Sequence, residues 1–93
     1  MSNQDELLGT IQQAIRDVLN NQNLNVKMEN KLIGDLGLES IDLLDLSSEL
    51  EQSIGKELDF KEVAEFVKKR SGGSADMKSA SVKDLTDFII ANP

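Results

Sequence analysis

Apolar residues in this chain recur at spacings of three and four, and no stretch alternates strictly, so the sequence is committed to helices rather than strands. The first such stripe runs from about Asp5 to Asn20, through Leu7, Leu8, Ile11, Ala14, Ile15, Val18 and Leu19. Asn3 followed by Glu6 resembles a capping box at its start, and the run Asn20-Asn21-Gln22-Asn23 ends it, because Asn tolerates left-handed backbone. A second stripe begins near Ser40 and reaches Ser53 or Ile54, with Leu43, Leu46, Leu50 and Ile54 facing inward and Gly55 as the stop. On that helix Ile41 and Leu44 point away from the stripe and are expected to be partly exposed. A short third helix is predicted from about Phe60 to Lys69, capped by Asp59, with Val63, Phe66 and Val67 as its apolar face. Ser71 to Ala75 reads as a flexible Gly-Gly loop. A last helix opens at Ser81, where Asp84 completes a capping box, and buries Val82, Leu85, Phe88 and Ile89.

Between the first two helices, residues from about Gln22 to Leu38 show no sustained period and include Gly34 and Gly37. The apolar anchors Leu24, Val26, Met28, Leu32, Ile33 and Leu36 make this a long connection that packs over a core. The fold expected is therefore all-α: a four-helix bundle with a long first loop and a short third helix. With 93 residues and no repeat or dividing linker, residues 1–93 are read as a single domain.

Composition narrows the function more than the fold. The chain has no Cys, His, Trp or Tyr, so it offers no thiolate nucleophile, no imidazole base and no Cys/His zinc site. Seventeen acidic residues against ten basic ones leave a net charge of -7, the wrong sign for a phosphate backbone; no nucleic acid is expected as ligand. No apolar run approaches the roughly 20 residues of a membrane span. The polar, acidic N-terminus lacks the features of a secretory or transit leader, so a cytoplasmic location is expected.

Chemistry concentrates around Gly34-Asp35-Leu36-Gly37-Leu38-Glu39-Ser40-Ile41-Asp42. Ser40 falls where a Gly-containing loop meets a helix N-terminus, a place that exposes a hydroxyl and favours an attached phosphate. From position alone the commoner reading is a Ser40 that merely caps the helix. Between Lys31 and Lys56 there is no cation, while Asp35, Glu39, Asp42, Asp45, Glu49 and Glu51 all fall in the interval. Asp42, Asp45 and Glu49 share a helical face and repel one another, by a few tenths of a kcal/mol per pair. That face, beside Ile41 and Leu44, suits a docking surface for basic partners, or is a plainly solvated acidic face. A metal site is not expected: the Glu-x-x-His pairs of di-iron bundles need His, and an EF-hand counted from Asp35 places Gly37 and Ser40 at its third and sixth positions. Lys68-Lys69-Arg70 reads as cations complementing a helix C-terminus.

The stretch Asp35-Leu36-Gly37-Leu38-Glu39-Ser40-Ile41-Asp42 resembles the acyl carrier proteins, whose hallmark is an Asp-Leu-Gly-x-Asp-Ser-Leu-like sequence opening the second of four helices. The resemblance spans nearly the whole chain, including the acidic second helix and the closing Ser81 to Ile89. It implies a non-catalytic protein whose Ser40 receives a covalent 4′-phosphopantetheine arm from coenzyme A through a phosphopantetheinyl transferase. The arm's thiol would hold acyl groups as thioesters for fatty-acid, lipid or polyketide biosynthesis. By the same resemblance, Glu39, Ile41, Asp42, Leu44, Asp45 and Glu51 would contact partner enzymes: acyl-loading and acyl-using synthases or transferases with basic docking patches. Leu46, Leu50, Ile54, Val63 and Phe66 would line an acyl pocket, or serve as ordinary core. A monomer is expected.

Two departures stand out. Glu39 takes the place of the family's usual Asp, keeping the charge while being a poorer helix cap. The stretch from Phe60 through Ala80 is longer than in housekeeping fatty-acid carriers, with added length around Lys68 to Ser79, which points to a specialised carrier. Two other readings remain at this point: an unmodified acidic adaptor, and an aminoacyl or peptidyl carrier, the latter disfavoured by the acidity.

Overall fold

The computed structural model describes residues 3–73 and 76–91. Its elements are α1 (Asn3–Val18), α2 (Ser40–Ile54), α3 (Phe60–Arg70), a single 3₁₀ turn (Met77–Ser79) and α4 (Val82–Ala91). The four helices expected from the spacing are present. α1 ends two residues earlier than the periodicity suggests and α3 runs one residue further, while the 3₁₀ turn has no counterpart in the sequence reading. The capping box expected of Asn3 and Glu6 involves a side chain outside those described, and Ser74 and Ala75 of the expected loop also lie outside the described residues.

Each helix stops or starts for a local reason. α1 terminates because Asn20 takes a left-handed φ of 53°. The Asn20 N–H then bonds to the Asp17 C=O at 3.2 Å and the Asn21 N–H to the Arg16 C=O at 2.9 Å, the paired bonds of a Schellman stop. Gly55, at φ 75°, ends α2. Asp59 caps α3 by accepting from the Lys61 N–H at 2.9 Å. Ser81 and Asp84 form a reciprocal box ahead of α4: the Ser81 N–H donates to the Asp84 carboxylate at 3.0 Å, and the Asp84 N–H to the Ser81 hydroxyl at 3.1 Å.

α1 packs against α2 and α4, and α4 against α3. The buried apolar side chains form one cluster, to which α1 gives Ile11 and Ile15, α2 Leu43, Leu46 and Leu50, α3 Val63 and Val67, and α4 Val82, Leu85, Phe88 and Ile89.

The long connection from Asn20 to Glu39 is held at both sides, which explains how an aperiodic segment keeps a fixed shape. Val26, Leu32 and Leu38 are buried in the core. From α1, the Gln12 side-chain amide donates to the Val26 C=O at 2.8 Å and Arg16 Nε to the Leu24 C=O at 2.9 Å. From the other side, the Leu32 N–H bonds to the Ala80 C=O, the Val82 N–H to the Asn30 C=O and the Lys83 N–H to the Met28 C=O, each at 2.9 Å. An isolated antiparallel bridge pairs Lys31 with Ser81. The connection and the approach to α4, distant in sequence, thus form one hydrogen-bonded unit that delivers the chain to the start of α2.

Candidate functional site

The turn leading into α2 is built by its own polar residues. The Asp35 carboxylate accepts from the Lys31 N–H at 2.7 Å, and the Asp35 and Leu36 N–H groups bond back to the Lys31 C=O at 3.0 Å. Gly37 follows at φ 75°, a conformation that L side chains rarely adopt. Leu38 is buried and anchors the chain, so the next residue, Glu39, emerges extended at φ -101°, ψ 174° as the helix cap. The Asp42 carboxylate accepts from the Glu39 N–H at 2.9 Å.

This geometry bears on the capping reading of Ser40. Glu39 holds the capping position, and Ser40 is the first residue inside the helix. Its side chain is exposed, and its hydroxyl has no hydrogen-bond partner among the described residues. Ser40 is therefore not the cap. A free hydroxyl sits beside the unpaired N–H groups and the positive dipole end of a 15-residue helix.

Ser40 also borders an open groove of about 730 Å³ between α2, α3 and the 3₁₀ turn. α2 contributes Leu43, Leu44, Ser47 and Glu51; the link to α3 contributes Glu57, Leu58 and Asp59; α3 contributes Phe60, Lys61 and Ala64; the turn contributes Met77. None of Leu46, Leu50, Ile54, Val63 and Phe66 lines it. Leu46, Leu50 and Val63 are wholly buried, and Ile54 and Phe66 pack on the core from its edge. Phe66 is further held edge-on to Phe88, with ring centroids 5.5 Å apart, and lies under the Arg70 guanidinium at 5.2 Å.

Of the groove residues, Leu44 and Glu51 are expected partner contacts and Leu43 is expected core. Leu58, Ala64 and Met77 have no expected role beside Ser40, and Phe60 is expected only as a helix start. Phe60 and Ala64 stand one helical turn apart, on a stripe adjacent to the Val63–Val67 face; that i,i+4 spacing was the available signal. For Met77 no local signal exists, since a turn outside any periodic segment brings it there.

The acidic residues divide into two groups. Asp35, Asp42 and Glu51 have structural partners, Glu51 accepting from the Leu58 N–H at 3.3 Å. Glu39, Asp45 and Glu49 are exposed, and no ion pair among the described residues involves α2. Between them stand Ile41 and Leu44, 64% and 69% exposed, two of the three large apolar side chains so open among the described residues. Their exposure agrees with the helical phase read from the sequence. Among the described residues no group of three or more potential ligand side chains is placed to hold a metal ion, and no helix is long and apolar enough to cross a membrane.

Comparison with known proteins adds two findings. A family model described as the phosphopantetheine attachment site matches residues 9–68, which include the turn, Ser40 and most of α3. The chain is also similar to an acyl carrier protein of Coprothermobacter proteolyticus, at 25% identity over 88 residues, covering 95% of this chain and 92% of that protein. No solved structure matches the chain.

Proposed function

Since the chain belongs to the phosphopantetheine-attachment family, carrier proteins with a covalently bound 4′-phosphopantetheine, we propose that Ser40 is the attachment point and that the cargo is an acyl group. The observation that carries this reading is the state of Ser40: exposed, unpartnered, first in its helix and open to a groove. A phosphodiester on that oxygen suits the site, because a helix N-terminus favours an anion and nothing has to be displaced to form it. When bound, the group supplies a thiol, which the chain itself lacks, and with it the means to hold acyl groups as thioesters. The chain's own part is to present the oxygen on a rigid turn and to recruit partners; carriers of this type are not catalytic themselves.

Recruitment falls to α2. Glu39 and Asp45 have no ion pair among the described residues, and with the exposed Ile41 and Leu44 they frame the attachment point in negative charge around an apolar centre. Such a surface attracts a transferase or synthase with a basic patch and releases it readily in salt. Asp42 and Glu51 contribute charge to the same surface while holding the cap and the turn before α3. Burial supports seating the cargo in the groove: a chain drawn between Leu46, Leu50, Ile54, Val63 and Phe66 would have to part packed side chains, whereas the groove beside Ser40 is already open. Fatty-acid, lipid and polyketide biosynthesis all use such thioesters, and the added length around Lys68 to Ser79 favours a dedicated pathway.

Incubation with coenzyme A and a broad-specificity phosphopantetheinyl transferase, followed by intact-mass measurement, tests the reading. The wild-type chain should gain one phosphopantetheinyl group and Ser40→Ala none. No gain leaves the unmodified acidic adaptor, and a gain that survives in Ser40→Ala moves the attachment point to another residue; either removes Ser40.

A further inference from the structure

The long segment between α3 and α4 ends in a structure that reaches the groove. Its 3₁₀ turn packs on α3 and is capped by Asp76, whose carboxylate accepts from the Lys78 N–H at 3.0 Å. The Ala80 N–H closes the turn on the Met77 C=O at 3.1 Å, and Ala80 itself is fully buried and receives the Leu32 N–H at 2.9 Å. The backbone of the turn is thus tied to α3 on one side and to the connection before α2 on the other. From this anchored turn the half-buried Met77 side chain packs against the core's edge and lines the same groove as Ser40.

Apart from the exposed Leu44, the rest of the apolar lining is less adaptable. Leu43 and Leu58 are at most 9% exposed and have little room to move, and Phe60 is a planar ring. Ala64 is the smallest side chain on the α3 side and leaves the space open. Met77 is the flexible member: an unbranched thioether refits its rotamers to a neighbour at low cost. Any group tethered at Ser40 is held at high local concentration beside this surface. An alkyl chain would bury itself there, whereas an ammonium group would have to be desolvated against carbon and sulfur. Of the three carboxylates in the lining, Glu51 and Asp59 already hold backbone N–H groups, while Glu57 is exposed to solvent, which screens its pull on an ammonium group.

We propose that Met77 is a specificity-determining residue of this carrier: through it the segment between α3 and α4 supplies an adjustable apolar wall, fitting the groove to a hydrocarbon acyl group tethered at Ser40. The proposal rests on Ser40 being the attachment point.

The test uses the full chain loaded at Ser40 from coenzyme A, octanoyl-coenzyme A or leucyl-coenzyme A, with loading confirmed by mass before any measurement. The readout is the change in Tm between holo and acylated forms, taken within each variant so that differences in basal stability cancel. Octanoylation should raise the Tm of the wild type, and leucylation should raise it less. Met77→Gln, which keeps length but removes the apolar surface, should lose most of the octanoyl shift, and Met77→Trp, which fills the space, should lose it all. Ile90→Ala, which trims an exposed apolar residue of α4 outside the groove, should keep the full shift. An octanoyl shift that is absent from the wild type, or unchanged in both Met77 variants, overturns the proposal. A leucyl shift equal to or above the octanoyl one overturns the hydrocarbon preference. Failure to load at all is a separate result, seen by mass, that removes the attachment reading and this proposal with it.

Discussion

α2 and the α3–α4 face are both rich in charge, and they use it in opposite ways. At the end of α3, Arg70 reaches Asp84 at 3.2 Å and Asp87 at 3.0 Å while its guanidinium covers Phe66, and Lys83 adds a contact to Asp87 at 3.5 Å. Every ion pair among the described residues lies there. α2 has no cation, leaves Glu39, Asp45 and Glu49 without an ion pair among the described residues, and keeps Ile41 and Leu44 in water. One face satisfies its charges internally and closes; the other leaves both charge and apolar surface unsatisfied, beside a free hydroxyl and an open groove. The contrast marks α2 as the face that the proposed function would use. A carrier that meets several enzymes in turn needs one surface that is not already partnered, and the rest of a small bundle must supply the stability which that surface does not.

The comparison can be broken most directly within α2 itself. Leu46→Ala should cost about 2–5 kcal/mol of stability in urea denaturation, because it empties a wholly buried site. Leu44→Ala, two positions away, should stay within about 0.5 kcal/mol, because its side chain is already in water. It should instead slow modification of Ser40 by the transferase. Equal stability losses in the two variants would mean that Leu44 belongs to the core.

On the opposite face, Arg70→Met removes both ion pairs and the cation over Phe66 while keeping apolar cover. A loss of about 1 kcal/mol is expected, since Arg70 is partly exposed and solvent screens its charges. Modification of Ser40 should proceed at the wild-type rate, and a slowed modification would show that the two faces are coupled. The smallest effect concerns salt. Going from low to moderate ionic strength should raise the Tm of the wild type by a few degrees at most, by screening repulsion on α2. The double variant Asp45→Asn, Glu49→Gln should show less of this rise. A wild-type Tm insensitive to salt would mean that the acidic face carries no repulsive cost.

Much of this architecture could be read from local pattern. Spacings of three and four located all four helices, and the stops at Asn20 and Gly55 and the starts at Asp59 and Ser81 followed from what those residues do to the backbone nearby. The same phase that buried Leu43, Leu46 and Leu50 put Ile41 and Leu44 in water. The Ser40 motif and the uncompensated acids of α2 were legible too, because both are properties of adjacent residues.

What local pattern could not reach was anything made by two distant segments. That Ser40 stands free depended on Glu39 holding the cap, which needed the turn fixed by Asp35, Gly37 and Leu38. That turn in turn stands on a connection hydrogen-bonded to residues 80–83. The groove arose the same way, from α2, the start of α3 and a 3₁₀ turn with no periodicity to announce it, so nothing local marked Phe60, Ala64 or Met77 as neighbours of Ser40. Helices, caps and charge patterns depend on neighbours a few residues away and are written in the sequence itself. An open groove and an unpartnered hydroxyl are defined by what fails to cover them, and only the packed tertiary structure decides that.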